Sequence, residues 1–95
     1  MFVVTLKFSD NKARADELME AHKAWIKSGF DQGLFLMVGS LQPNRGGGII
    51  AHNTSFEDLE NFVGKDPFVL EGVVRAEILE ITPARLDERL EFLAA

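Results

Sequence analysis

From Phe2 to Phe8 the chain alternates, with Phe2, Val4, Leu6 and Phe8 on one apolar face and Val3, Thr5 and Lys7 on a mixed one. A two-residue period is that of a strand with one face buried. Ser9-Asp10-Asn11 then supplies turn and N-cap residues, and the period changes. Over residues 12–27, Ala15, Leu18, Met19, His22, Trp25 and Ile26 fall on one side of a helix, which Gly29 is expected to end. Residues 34–38, Leu-Phe-Leu-Met-Val, are apolar throughout and too few for a surface helix. They predict a strand buried on both faces. The polar, glycine-rich stretch 39–48 reads as a long hairpin connection into a short strand at 49–52.

Thr54 and Ser55 each offer an N-cap, with Glu57 and Asp58 three residues further on. The helix that follows is expected to bury Phe56, Leu59, Phe62 and Val63 and to stop at Gly64. Asp66-Pro67-Phe68 restarts a turn of helix, and residues 73–81 form the last strand. Thr82-Pro83 is expected to open a tail helix over residues 84–95, with Leu86, Leu90 and Leu93 on one side. The order β-α-β-β-α-β plus a terminal helix predicts one α+β domain over residues 1–95, of the ferredoxin-like kind. Two helices would cover one face of a four-stranded antiparallel sheet and leave the other bare. Because residues 34–38 are apolar on both sides, that bare face predicts pairing with a second copy, hence a homodimer.

Composition narrows the chemistry. At 95 residues there is room for one core and a thin stability margin. The absence of cysteine excludes disulfides, thiolate metal sites and cysteine nucleophiles. A net charge of −5, with ten basic residues dispersed along the chain, argues against a nucleic-acid partner. The first residues lack the basic start, apolar run and cleavage site of a signal peptide, and no stretch reaches membrane-spanning length. A cytoplasmic protein with no membrane partner is expected. No cofactor or metal is expected either, since a metal would need His22, His52 and a carboxylate to converge.

His22 is the first candidate for chemistry. It sits in the middle of the apolar helical stripe, where a rigid element would hold a titratable ring partly out of water, as a general acid or base requires. The plain alternative is a core histidine satisfied by a backbone carbonyl. Asp66, after the Gly64 stop and before Pro67, is a natural N-cap. A carboxylate has two oxygens, so one could take the cap bond while the other orients a histidine. Residues 39–48 look like a phosphate cradle but lead into a strand rather than a helix, so a hairpin is the better reading. Ser40 or Arg45 could still touch a ligand from that loop. Arg75 and Glu77 share a face of the last strand and could be rim residues or a weak ion pair.

Together these residues resemble the YCII-related family. The resemblance is carried by His22-Lys23-Ala24-Trp25-Ile26, then Gly33-Leu34-Phe35-Leu36-Met37-Val38-Gly39-Ser40-Leu41 and Gly46-Gly47-Gly48-Ile49-Ile50-Ala51. It continues through Lys65-Asp66-Pro67-Phe68 and closes on Glu77 to Arg85. The resemblance implies a ferredoxin-like fold paired sheet to sheet as a dimeric α/β barrel. It also implies a catalytic His–Asp pair in a pocket, carried over as His22 and Asp66. Some members are dehydrochlorinases acting on chlorinated aromatic-derived compounds. Relatives often carry an arginine three residues before the histidine; here that position is Met19, so an anion contact made by that arginine does not carry over.

Three readings stay open at this point. The first is a lyase or isomerase with His22 as proton shuttle and Asp66 fixing its tautomer. Its small-molecule substrate is expected over the outer sheet face, against Phe35, Met37 and Phe68 and within reach of Ser40. The second is a non-catalytic module that binds a small ligand. The third, by fold analogy alone, is a cofactor-free monooxygenase.

Overall fold

A computed structural model describes residues 1–94. The sheet order is β2-β3-β1-β4, all antiparallel. Strand β1 (Phe2–Phe8) lies between β3 (Gly46–Ala51) and β4 (Val74–Glu80), and β2 (Phe35–Leu41) forms the edge beyond β3. Helices α1 (Ala15–Asp31), α2 (Phe56–Val63) and the single turn α3 (Pro67–Leu70) complete the ferredoxin-like βαββαβ arrangement. The alternation of β1 decides which face they cover. Phe2, Val4 and Leu6 are buried among Trp25, Phe35, Ile49, Leu59 and Val73 in one core. Trp25 adds an anchor at the base of that core, donating from its indole N–H to the Phe62 carbonyl at 3.0 Å. No described helix is long and apolar enough to cross a membrane.

The other face carries a cross-strand row whose register runs Met37–Ile50–Val3–Leu79. Met37 is 56% and Leu79 50% exposed, so this apolar row is open to solvent in the single chain. Strand β2 is therefore not buried on both faces, as its unbroken apolar sequence suggests. A bulge between Phe35 and Met37 sends Phe35 into the core while Leu36 and Met37 face outward. Arg75 and Glu77 lie on the open side, opposite Lys7 and Thr5, and form no ion pair with each other among the described residues.

Three further expectations are corrected. Gly29 does not end α1; it is buried inside the helix, and a Cβ there would run into the ring of Phe35. The helix stops two residues later, and Gly33, at φ +74°, makes the turn. Ser9-Asp10-Asn11 gives no side-chain cap. The chain enters α1 through a 3₁₀ turn at Lys12–Arg14, and the Asn11 amide instead donates to the Glu71 carbonyl at 2.8 Å. The long hairpin shrinks to a four-residue turn at 42–45, because Gly39–Leu41 belong to β2 and Gly46–Gly48 to β3. Of the two proposed caps of α2, Ser55 is the one used, its hydroxyl accepting from the Asp58 N–H at 3.1 Å.

The tail helix does not form over residues 84–95. The chain is irregular through Asp87 and then makes a 3₁₀ turn at Glu88–Leu93. A short helix needs a buried face to offset its nucleation cost. Here only Leu93 is buried, while Leu90 and Phe92 stay exposed. Asp87 starts that turn by accepting from the Arg89 backbone N–H at 2.9 Å. Its hydrogen bond from the Arg89 side chain, and then the backbone bond, hold Asp87 below the usual carboxylate range. The cap therefore persists as pH falls and loosens only once Asp87 takes up a proton. Ala95, the last residue of the expected helix, lies outside the described residues.

Close packing at Gly29 generates a test. Alanine favours a helix interior by about 1 kcal/mol over glycine, yet overpacking a core costs about 1–3 kcal/mol. Gly29→Ala should therefore lower the unfolding free energy in urea, and Phe35→Leu in that background should restore part of the loss.

Candidate functional site

Three local features bring the site together. The helical period of α1 puts Met19, His22 and Ile26 on the turns that face the sheet. Gly64 and Lys65 close α2, and Pro67 forces the residue before it out of the helical region, so Asp66 is extended at φ −60°, ψ 125°. Asp66 thereby becomes the N-cap of α3, and Pro67 takes the first helical position, where its missing N–H costs nothing. An exposed clamp joins the two segments: Arg14 donates to Glu17 at 2.7 Å and to Glu71 at 2.6 Å. These two hydrogen bonds raise the Arg14 pKa above its ordinary value, although exposed pairs of this kind stabilise little.

His22 Nδ1 lies 2.7 Å from Asp66 Oδ1. The Asp66 side chain is fully buried and the His22 side chain 12% exposed. The same oxygen also accepts the Phe68 N–H at 3.0 Å. The two bonds expected on separate oxygens thus converge on Oδ1, and Oδ2 is enclosed without a protein hydrogen-bond partner. Phe68, held over the site by that cap, stacks on the imidazole with ring centroids 3.9 Å apart and planes 3° from parallel. Trp25 flanks the imidazole at 5.9 Å. The ring is thus fixed in plane by Phe68 and in rotation by Asp66, and among the described residues Nε2 has no hydrogen-bond partner.

A cavity of about 290 Å³ opens beside the ring, between α1 and the sheet. Its apolar walls include Leu6, Met19, Ile26, Val38 and Phe68, and Lys23 and Ser40 add polar groups. The cavity lies on the helix side, not over the outer sheet face where the substrate was expected. Phe35 is 4% exposed and sits in the core against Trp25 and Phe62, and Met37 points to the opposite face, so neither lines it. Phe68 and Ser40 do. Arg45, in the hairpin turn, does not.

His52 is elsewhere, its ring against Phe92 at 5.7 Å beside a second hollow with Met1, Glu80 and Pro83. Among the described residues no group of histidine and acidic side chains converges as a metal site. The site residues that the sequence did not mark, Leu6, Val38 and Gly47, lie on the helix-facing side of their strands, in register with core positions. Strand alternation was the signal that could have found them.

Comparison with curated protein sequences returns no significant match. Among solved structures, the fold is similar to 5-chloro-2-hydroxyhydroquinone dehydrochlorinase (TftG) from Burkholderia phenoliruptrix AC1100, determined in complex with 2,5-dihydroxybenzoquinone. The TM-score is 0.68 at 15% identity, over 85% of this chain and 93% of that one. Identity that low carries the fold and leaves the reaction open. The family model of the YCII-related domain matches residues 1–85, which take in all four strands, the histidine helix and the Asp-Pro-Phe turn. The chain belongs to the YCII-related family.

Proposed function

We propose that this protein is a small-molecule enzyme of lyase or isomerase type, in which His22 moves the proton and Asp66 holds and balances it. The observation that carries this reading is the 2.7 Å contact from Asp66 to Nδ1 in a ring whose other nitrogen is free beside a cavity. With Asp66 accepting at Nδ1, the neutral ring keeps its proton there and presents an unprotonated Nε2. That nitrogen would take a proton from a substrate hydroxyl, or from a carbon next to a carbonyl. Positive charge then developing on the imidazole is balanced by the Asp66 carboxylate. In a lyase step the released electron pair expels a leaving group on a neighbouring carbon, and in an isomerase step Nε2 returns the proton to a second atom. The mostly apolar walls and the cavity of about 290 Å³ suit a single-ring compound. The similar fold of a dehydrochlorinase bound to a dihydroxybenzoquinone favours hydroxylated, halogenated rings, with halide as the leaving group.

We further propose that the protein works as a homodimer in the cytoplasm, with the Met37–Ile50–Val3–Leu79 face paired to that of a second copy as a dimeric α/β barrel. A contiguous exposed apolar row on a sheet is costly to leave in water. The expected mass by light scattering after gel filtration is that of two chains. Met37→Asp with Leu79→Lys should give one. A native monomer at micromolar concentration would overturn the pairing.

The catalytic reading is tested on a panel of hydroxylated and halogenated single-ring compounds, following substrate absorbance and released halide. His22→Ala should lower kcat by about 10²-fold or more, with a smaller change in KM, because general acid–base catalysis acts on the transition state. Asp66→Asn should keep the fold. Its amide oxygen can still accept from Phe68 and from Nδ1, but it carries no charge to balance the imidazolium, so kcat should fall while KM changes little. Saturable binding of panel members without turnover would leave a ligand-binding module instead. Long-range nitrogen NMR of the neutral ring should place the His22 proton on Nδ1. A proton on Nε2 would remove the proposed base.

A further inference from the structure

Three consecutive glycines in the middle strands of a sheet need an explanation, because glycine weakens a strand and gives it nothing to pack. One of the three has a reason that the backbone imposes: Gly46 is at φ +128°, and a Cβ there would meet the Leu6 backbone, so no side chain fits. At Gly48 a Cβ would stand 3.3 Å from Leu41 Cδ2, the end of a flexible side chain that can give way. At Gly47 the φ is outside the left-handed region, and the one atom within 4 Å of a Cβ would be the Gly39 carbonyl oxygen, at 3.4 Å, the near edge of ordinary contact. The fold thus has room for a Cβ at 47, and the question is what a side chain there would fill.

The register says where that missing side chain would go. Gly47 pairs with Leu6 on one side and Ser40 on the other, and Leu6 is 3% exposed on the helix-covered face. Paired residues of antiparallel strands share a face. A side chain at 47 would therefore rise from the sheet into the cavity that His22, Leu6 and Ser40 line. We propose that Gly47 is a specificity-determining residue: its bare backbone is the floor on which a flat ring rests beside His22. The proposal builds on the acid–base reading of the same cavity and adds the shape it selects. The ligand class is a planar, single-ring compound that lies against the peptide plane of β3, under Phe68.

Gly47→Ala and Gly47→Val separate this role from a structural one, because the two effects have opposite signs. Valine is a good strand former and removes the entropy cost of glycine, so the thermal midpoint of Gly47→Val should equal or exceed that of the native protein. Binding should move the other way. With 2,5-dihydroxybenzoquinone as the probe, titrated against the amides of Gly39 and Ser40 and the ring of His22 by NMR, Gly47→Ala should bind about tenfold more weakly, a change of ~1.4 kcal/mol. Gly47→Val should show no saturable shift. Equal binding by native protein and Gly47→Val would overturn the assignment and leave the His22 reading intact. A fall in thermal midpoint alongside lost binding would also overturn it, since the glycine would then be structural. A native protein that fails to bind the probe would overturn the single-ring reading of the cavity and the floor together.

Discussion

One carboxylate oxygen, Asp66 Oδ1, accepts a hydrogen bond from the first turn of α3 and lies against the ring nitrogen of a histidine 44 positions earlier in the chain. The arrangement joins two requirements that are usually met separately. The cap bond fixes where α3 begins and so where Phe68 stands; the imidazole contact fixes the rotation of the ring on which Phe68 stacks. Moving Asp66 would therefore displace the roof of the cavity and the orientation of its reactive group together. A side chain that is fully buried, with one oxygen unpaired by the protein, is expensive to keep. The expense is easier to understand for a group that orients an acid–base residue than for a helix cap, since serine performs the capping role at α2.

The sheet divides its two faces between different tasks. On the helix side, Phe2, Val4 and Ile49 build the core near one end, and Leu6, Gly47 and Ser40 line the hollow at the other. The aromatic cluster of Trp25, Phe35 and Phe62 packs the core beside the hollow, and Phe68 and Ile49 carry that packing to its wall. Gly29 belongs to the same construction: its bare Cα lets α1 pack directly against the ring of Phe35. The second face has no helix. Its row of Met37, Ile50, Val3 and Leu79 is exposed at both ends and half-buried between, and under the proposed pairing it would add burial to a small domain.

Much of this was legible in the order of residues, and the exceptions share a cause. The strand–helix order, the ends of β1, the cap at Ser55 and the Asp66-Pro67 turn all follow from local rules, because each depends on neighbours a few positions away. His22 and Asp66 could be singled out for the same reason, one by its helical stripe and the other by its cap. Their convergence on Oδ1 could not, since the choice of oxygen depends on how α1 and α3 meet. Gly29 and the three glycines after Arg45 were misread as punctuation. A glycine that ends an element and one that admits a neighbour look identical in sequence, and only the ring of Phe35 or the backbone of Leu6 distinguishes them. The bulge in β2 had a similar effect: one extra residue moved Met37 to the face opposite Phe35 and, with it, the expected position of the ligand. The tail failed for an energetic reason, because three leucines at helical spacing do not make a helix unless something covers them.

Strand β3 links the two faces. Gly47 turns toward the cavity, while Gly48 and Ile50 turn toward the open side, so the floor of the proposed site is also the underside of the proposed dimer contact. A strand with three glycines is the most deformable part of such a sheet, because it has few side chains to brace it. Its neighbours do what they can: β1 and β2 hydrogen-bond it on both edges, and Leu41 lies across Gly48. Pressing a second sheet onto Ile50 and Met37 would stiffen the strand from behind without entering the cavity. Association and ligand binding would then be coupled through a floor only one peptide thick, since the backbone of Gly48 lines the cavity from a position whose side-chain direction is the open face.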